Sequence, residues 1–168
     1  SAGDRATQIA AIGFDACGWE IWPYLAAGAS IYFPEDDIRR DPEKLQNWLV
    51  SKAITISFLP TPLAEKVLLL DWPQTTALRI LLAGGEKLQQ HPLKSHPFKL
   101  VNNYGPTENT FVTTSCYIPV TEQTDIAPTI GRPIANTQIY ILDKYLQPVA
   151  IGVVGELYIG GNGLARGY

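Results

Sequence analysis

Helix and strand signals alternate along the first part of this 168-residue chain. Asp15 is a suitable N-cap for a first helix that should end at Gly28, and Pro23 predicts a kink or a break within it. The dipeptide Asp41-Pro42 predicts the start of a second helix, and a third is expected over residues 62–70. Strands are predicted over residues 30–33, 54–59, 78–83 and 98–102. This alternation implies βαβ units in a parallel sheet, where ligands bind at the carboxyl ends of the strands.

The pattern changes after Glu108. The remaining segments are β-rich, and Pro, Gly and Asn turns separate them. Strands are predicted over residues 110–118, 138–142 and 155–159. We therefore expect an α/β fold in which a parallel-sheet subdomain at residues 1–105 precedes a β-rich subdomain at residues 106–168. The second is predicted to be a small sheet or a distorted barrel, and both are expected to be incomplete.

Composition argues against several classes of protein. Hydrophobic residues make up 46% of the chain and charged residues 17%, which is enough apolar material for a core. A net charge of −3 without a Lys/Arg cluster argues against a nucleic-acid partner. No apolar run approaches the roughly 20 residues of a membrane span, so a cytoplasmic protein is expected. Cys17 and Cys116 lack metal or redox spacing and are expected to be buried free thiols.

The run Asn102-Asn103-Tyr104-Gly105-Pro106-Thr107-Glu108 has the side chains needed to hold a magnesium nucleotide. The ring of Tyr104 can stack on a base, and the Gly-Pro turn brings the backbone close to a ligand. The hydroxyl of Thr107 can reach a phosphate, and the carboxylate of Glu108 can hold Mg²⁺. An ordinary turn between two strands would also use Asn, Gly and Pro, so the run alone leaves both interpretations open.

Three further blocks accompany this run. They are Phe14-Asp15-Ala16 with Trp19-Glu20, the segment GRPIANT at residues 131–137, and the glycine-rich segment GELYIGGNGLARGY at residues 155–168. In this order, the blocks resemble the middle of an adenylation domain of a nonribosomal peptide synthetase, within the acyl-adenylate-forming superfamily. The resemblance covers essentially the whole chain. Because the chain contains no Met and stops inside the last block, we expect it to be an internal piece of a longer protein.

The resemblance implies amino-acid activation. An amino acid carboxylate would attack the α-phosphate of ATP, giving an aminoacyl-adenylate and pyrophosphate. The acyl group would then pass to the phosphopantetheine thiol of a peptidyl carrier domain, in a parent chain that also holds a condensation domain. The family's phosphate loop, its ribose-binding Asp and its C-terminal Lys have no match in these residues. The isolated segment is therefore expected to be inactive.

Six positions match the family's ATP site: Gly84, Gly85, Asn102, Tyr104, Thr107 and Glu108. The resemblance implies that Glu108 binds Mg²⁺ and that Thr107 lies near the phosphate, as the catalytic pair. Tyr104 matches a residue that stacks on adenine, and Asn102 matches one that hydrogen-bonds the edge of the base. The two glycines resemble a loop that lets backbone approach the adenine.

Nine positions match the family's amino-acid pocket: Asp15, Ala16, Trp19, Phe58, Leu81, Ala83, Asn103, Phe111 and Val112. Asp15 is expected to pair with the α-ammonium group, whereas on its own it would be interpreted as a helix cap. Apart from Asp15 and Asn103 the set is apolar, which predicts an uncharged, apolar substrate with leucine first. Ala83 and Phe111 depart from the leucine-type pattern, which has Gly and Val at those places.

Two other functions remain open at this stage. A fatty- or aryl-acid CoA ligase of the same superfamily would share residues 104–108 but would have no use for Asp15. A noncatalytic binding module would not need Tyr104, Thr107 and Glu108 together.

Overall fold

The structure is a computed structural model that describes residues 1–92, 96–121 and 126–167. Tyr168, the last residue of the glycine-rich block, lies outside the described residues. The main feature is a seven-stranded sheet. Its strands, in chain order, are β1 (Arg5–Thr7), β2 (Ser30–Tyr32), β3 (Ile56–Pro60), β4 (Ile80–Gly84), β5 (Lys99–Tyr104), β6 (Thr114–Ile118) and β7 (Arg132–Pro133). In space they follow the order β2-β1-β3-β4-β5-β6-β7.

The first five strands run parallel, and β6 and β7 are antiparallel to their neighbours. The helices between them are α1 (Ala16–Ala26), α2 (Asp36–Arg39), α3 (Pro42–Ser51) and α4 (Thr61–Leu69). The predicted α/β fold with a largely parallel sheet is confirmed. The strand β1 was not predicted, because it lies in a polar stretch over residues 1–8 that shows no strand pattern.

Local chemistry explains where the helices begin. The side chain of Asp41 accepts hydrogen bonds from the backbone N–H groups of Glu43 and Lys44, and Pro42 occupies the first turn of α3. The predicted start of this helix is therefore confirmed. The helix α1 continues through Pro23, so the predicted break does not occur. The backbone N–H of Ala27 donates to the carbonyls of Pro23 and Tyr24, which closes the last turn beyond the proline.

Helices cover both faces of the sheet. On one face, Leu59 of β3 and Leu81 of β4 join the main core with Leu45 of α3 and Val67 of α4. On the other face, α1 packs against the sheet. No helix within the described ranges is long and apolar enough to cross a membrane.

The strands that follow β5 do not form a closed barrel within the described residues. β6 and β7 extend the large sheet, while β8 (Thr137–Leu142) and β9 (Glu156–Gly161) form a separate antiparallel pair. The sheet thus continues across the predicted boundary at residues 106–109. The division of the chain into residues 1–105 and 106–168 stays a prediction.

Candidate active site

The carboxyl ends of β4 and β5 lie side by side and open into a cavity of about 350 Å³. Gly85 contributes to it from the end of β4, and Asn102, Asn103 and Tyr104 contribute from β5. Four of the predicted site residues are therefore brought together. A larger cavity of about 690 Å³ lies between α4 and residues 89–92, and it contains none of them.

The aromatic and amide residues of β5 have different surroundings in this cavity. Tyr104 is 37% exposed and lines the cavity, and its stacking on an adenine stays a prediction. Asn102 is buried, and its side-chain N–H donates to the carbonyl of Thr129 at 3.0 Å. Asn102 therefore ties the chain after β6 to the end of β5. Its contact with an adenine edge stays a prediction.

Thr107 and Glu108 lie on a short 3-10 helix, Thr107–Asn109, immediately after the cavity-lining turn. Both side chains are exposed, and no described residue forms an ion pair with Glu108. The backbone carbonyl of Glu108 accepts from Ala165 N–H at 2.7 Å, which anchors the residue and leaves its carboxylate available. Mg²⁺ is usually held by one or two carboxylates together with substrate phosphates, so one free carboxylate two residues after the cavity-lining Pro106 fits this ion.

Several predicted pocket residues meet between α1 and the sheet. The rings of Trp19 and Phe58 pack edge to face, with centroids 5.3 Å apart. The ring of Phe111 lies so close to α1 that a Cβ on Gly18 would be 3.0 Å from its Cζ. Asn103 is 7% exposed, and its side-chain Nδ2 has no hydrogen-bond partner. An unpaired buried donor is unfavourable. Contact between this side chain and a ligand stays a prediction.

The structure does not place Leu81 and Ala83 with these residues. In the sheet, Phe58 pairs with Leu82, and Ala83 pairs with Asn102. Because side chains alternate between the faces of a sheet, Leu81 and Ala83 lie on the face opposite Phe58 and Asn103. Both are fully buried in the core.

Leu82 and Gly84 occupy the pocket face of β4 instead. Sequence analysis missed Leu82 and assigned Gly84 to the ATP site alone. A Cβ on Gly84 would lie 2.8 Å from the backbone oxygen of Asn103 and 3.4 Å from Cε2 of Phe58. The glycine therefore sits directly between two predicted pocket residues. Leu81, Leu82 and Ala83 are all apolar, so the sequence carries no alternation that would tell the two faces apart.

Asp15 is half-buried at the N-terminus of α1, one helical turn before Trp19. Its carboxylate accepts a hydrogen bond from Ala16 N–H at 2.7 Å. The helix-cap function is thus present in the structure, and pairing with an ammonium group stays a prediction. Ala16 is the first residue of α1, and Val112, next to Phe111, is half-buried.

Glu20 is fully buried on α1, and sequence analysis assigned it no role. Its two carboxylate oxygens accept from the backbone N–H groups of Ile9 and Ala10, both at 2.8 Å. The side chain of Gln8 adds a third donor. Glu20 therefore fastens the loop after β1 to the helix that carries Asp15 and Trp19. Only the fold brings these donors to the carboxylate, so no local sequence signal could have found them.

We expect Glu20 to make stability depend on pH. Burial raises the pKa of its carboxyl group from 4.5 to about 7, so the native state holds a proton that the unfolded chain releases. The free energy of unfolding should therefore fall as pH rises from about 4.5 to about 7, by up to about 1.4 kcal/mol per pH unit. Urea unfolding of the intact domain at several pH values would measure this slope.

Glu20→Gln is the matching variant. Above about pH 7 it should lower stability by about 1–3 kcal/mol, because the ionised carboxylate accepts from both backbone N–H groups and an amide N–H would face one of them. It should also flatten the slope, since no titrating group remains at this position. Equal slopes for the variant and the original protein would contradict the assignment to Glu20.

Comparisons with known proteins identify the family of this chain. The family model for AMP-binding enzymes matches residues 1–168. Over its whole length the chain is 60% and 61% identical to two different linear gramicidin synthase subunits from Brevibacillus parabrevis, and it spans 3% of the length of each. A solved structure of NpsA-ThdA, an artificially fused adenylation–PCP di-domain NRPS from Klebsiella oxytoca, matches with a TM-score of 0.83 and 25% identity. That match covers all of this chain and 35% of the other. The chain therefore belongs to the AMP-binding enzyme family, as a segment similar to part of the adenylation domain of a nonribosomal peptide synthetase.

Proposed function

We propose that the protein containing this chain activates an apolar amino acid with ATP. One observation carries the proposal. The cavity that Tyr104 lines is at the carboxyl ends of β4 and β5, and the apolar cluster around Trp19 and Phe58 is beside it at the neighbouring strand β3. The loop at residues 105–112 contains both Glu108, on the proposed nucleotide side, and Phe111, on the amino-acid side. The two reactants would therefore be held within one connected surface.

In the proposed reaction, a carboxylate oxygen of the amino acid forms a bond to the α-phosphorus of ATP. The bond from that phosphorus to the oxygen bridging to the β-phosphate breaks, and pyrophosphate leaves. Glu108 would hold Mg²⁺, which supplies neutralising charge between the two anions. Thr107 would donate a hydrogen bond to a phosphate oxygen, and Tyr104 would stack on the adenine.

The pocket favours leucine as the first substrate to test. Trp19, Phe58, Leu82 and Phe111 present apolar surface, and Asp15 would take the α-ammonium. Gly84 on the pocket face leaves room that Ala83 would have filled, and it restores the glycine of the leucine-type pattern. Phe111 remains a departure, and its bulk narrows the space beside α1. Discrimination among apolar side chains is worth only about 1–3 kcal/mol per methylene.

The activated acyl group would next pass to the phosphopantetheine thiol of a peptidyl carrier domain. The solved relative that joins an adenylation domain to a PCP supports this partner. The gramicidin synthase relatives, of which the chain spans 3%, support a long parent chain, in which we expect a condensation domain. We place the reaction in the cytoplasm, without a nucleic-acid or membrane partner.

Amino-acid-dependent ATP–pyrophosphate exchange by the intact protein tests the proposal. We expect exchange with an apolar amino acid, strongest with leucine. Exchange with a different apolar amino acid would keep the reaction and reject leucine. The absence of exchange with every amino acid would reject the proposal.

A CoA ligase acting on a simple carboxylic acid is the second candidate. It is favoured by the bond between the Asp15 carboxylate and Ala16 N–H, because this bond gives Asp15 a structural role that needs no ammonium. ATP-dependent formation of a CoA thioester from an aliphatic or aromatic acid, without amino-acid-dependent exchange, would establish it.

The placement of Leu81 and Leu82 on opposite faces predicts different outcomes for two adjacent substitutions. Leu82→Ala should shift the relative exchange rates toward larger apolar amino acids, with little loss of stability because Leu82 is only half-buried. Leu81→Ala should lower the free energy of unfolding by about 2–5 kcal/mol and leave those relative rates unchanged, since Leu81 lies in the core. Exchange assays and urea unfolding of both variants test this. The reverse pattern would return Leu81 to the pocket.

A further inference from the structure

Thr110 has an unusual backbone conformation between the two halves of the candidate site. Its φ is +69° and its ψ is −87°, a region that a β-branched residue rarely adopts. Two residues before it is Glu108, and directly after it is Phe111. Strained conformations persist only where surrounding contacts enforce them, and they concentrate at functional sites.

The enforcing contacts come from residues 162–165, which follow β9. The hydroxyl of Thr110 donates to the carbonyl of Gly163 at 2.6 Å. Ala165 N–H donates to the carbonyl of Glu108 at 2.7 Å. Gly163 packs so closely that a Cβ there would be 2.9 Å from Oδ1 of Asn109. The tip of the loop at residues 105–112 is thus held by a segment more than 50 residues away in sequence.

The base of the same loop is held independently. Thr113 N–H donates to the carbonyl of Tyr104 at 2.7 Å. The side-chain amide of Asn109 donates to the hydroxyl of Thr113 at 2.8 Å, and both residues are almost fully buried. With the base fixed, the conformation of Thr110 determines how the carboxylate of Glu108 and the ring of Phe111 are aimed.

We propose that Thr110 and residues 162–165 form a positioning clamp that sets Glu108 for the magnesium nucleotide and Phe111 for the amino acid at once. The inference rests on the proposed function. Thr110 acts through its neighbours and is therefore a positioning residue. Because Thr110 lies between Glu108 and Phe111, a change there should weaken the binding of MgATP and of the amino acid together.

Three substitutions at this position separate the roles of the hydroxyl and the backbone. Thr110→Val keeps the branched side chain and removes the donor, Thr110→Ser keeps the donor, and Thr110→Gly removes the donor and relaxes the backbone. Thr7→Val is the matched control. It removes a buried hydrogen bond to Ser57 on the face of the sheet that lies away from Phe58 and the amino-acid pocket.

The measurements on the intact protein are the Kd for MgATP by calorimetry, the KM for the amino acid by exchange, and resistance to urea. Thr110→Val should raise both constants about tenfold. Thr110→Ser should keep both constants within about twofold of their values in the original protein. Thr110→Gly should weaken both constants and yet resist urea better than Thr110→Val does. Thr7→Val should change only the resistance to urea.

Two results would overturn the clamp. In one, Thr110→Val loses resistance to urea while both constants stay unchanged, which is a purely structural role. In the other, only one of the two constants changes. If the original protein binds MgATP but shows no exchange, the proposed function is rejected separately. The Kd values of the Thr110 variants for MgATP would then still test whether the clamp positions Glu108. An original protein that binds no MgATP would reject both.

Discussion

Asp15→Asn should abolish amino-acid-dependent exchange while leaving the fold intact. Asparagine can still accept the hydrogen bond from Ala16 N–H, so the helix cap is kept and only the negative charge is lost. Leaving a buried ammonium without its partner costs about 3–5 kcal/mol, which corresponds to a fall in kcat/KM of about 100-fold or more. Exchange assays across amino acid concentrations would measure the fall.

Asp15→Ala is the companion variant. It removes both the charge and the cap, so it should lose exchange equally and also lower the free energy of unfolding by about 1 kcal/mol. Together the two variants separate the two roles of one carboxylate. If Asp15→Asn retained exchange within a few-fold, Asp15 would be a helix cap alone, and the CoA ligase candidate would gain support.

Glu108→Gln should produce the second large effect, on the use of MgATP. The amide keeps the size of the side chain and removes the charge that would hold the cation. We expect exchange to fall about 100-fold and the Mg²⁺ concentration for half-maximal exchange to rise. Stability should change by no more than about 0.5 kcal/mol, because the bond from Ala165 reaches the backbone of Glu108 and the side chain is exposed.

Glu86→Gln is the control for this experiment. Glu86 lines the cavity and is exposed like Glu108, but it follows β4 and matches no predicted ligand. Its substitution should leave the Mg²⁺ dependence unchanged. A shift with Glu86→Gln and none with Glu108→Gln would move the cation to the β4 side of the cavity.

The sequence predicts this fold well where a local signal is strong. The Asp41-Pro42 start of α3 is visible in the sequence because both residues act within one helical turn. The strand β1 is not, because it lies in a polar stretch and is recognisable only through its pairing with β2 and β3. Nor is the continuity of α1 through Pro23, because a proline inside a helix predicts a kink or a break.

The candidate site shows the same limit. The grouping of residues 102–108 follows from one short run, and the structure places part of that run around a cavity. The pocket depends on which face each residue of β4 occupies, and the register against Phe58 decides that. Glu20 acquires its importance only from donors that the fold brings from another segment.

The strand β5 has a consequence for how such proteins can diversify. Asn102 and Asn103 are neighbours, yet one is tied to Thr129 and the other has an unpaired amide on the pocket face. Residues that maintain the architecture and residues that would select a substrate thus alternate along one short stretch of chain. If the pocket binds the substrate as proposed, a single substitution on its face would alter selectivity without repacking the interior. Proteins built this way can acquire new substrates through a few exchanges at alternate positions, while the scaffold between those positions is preserved.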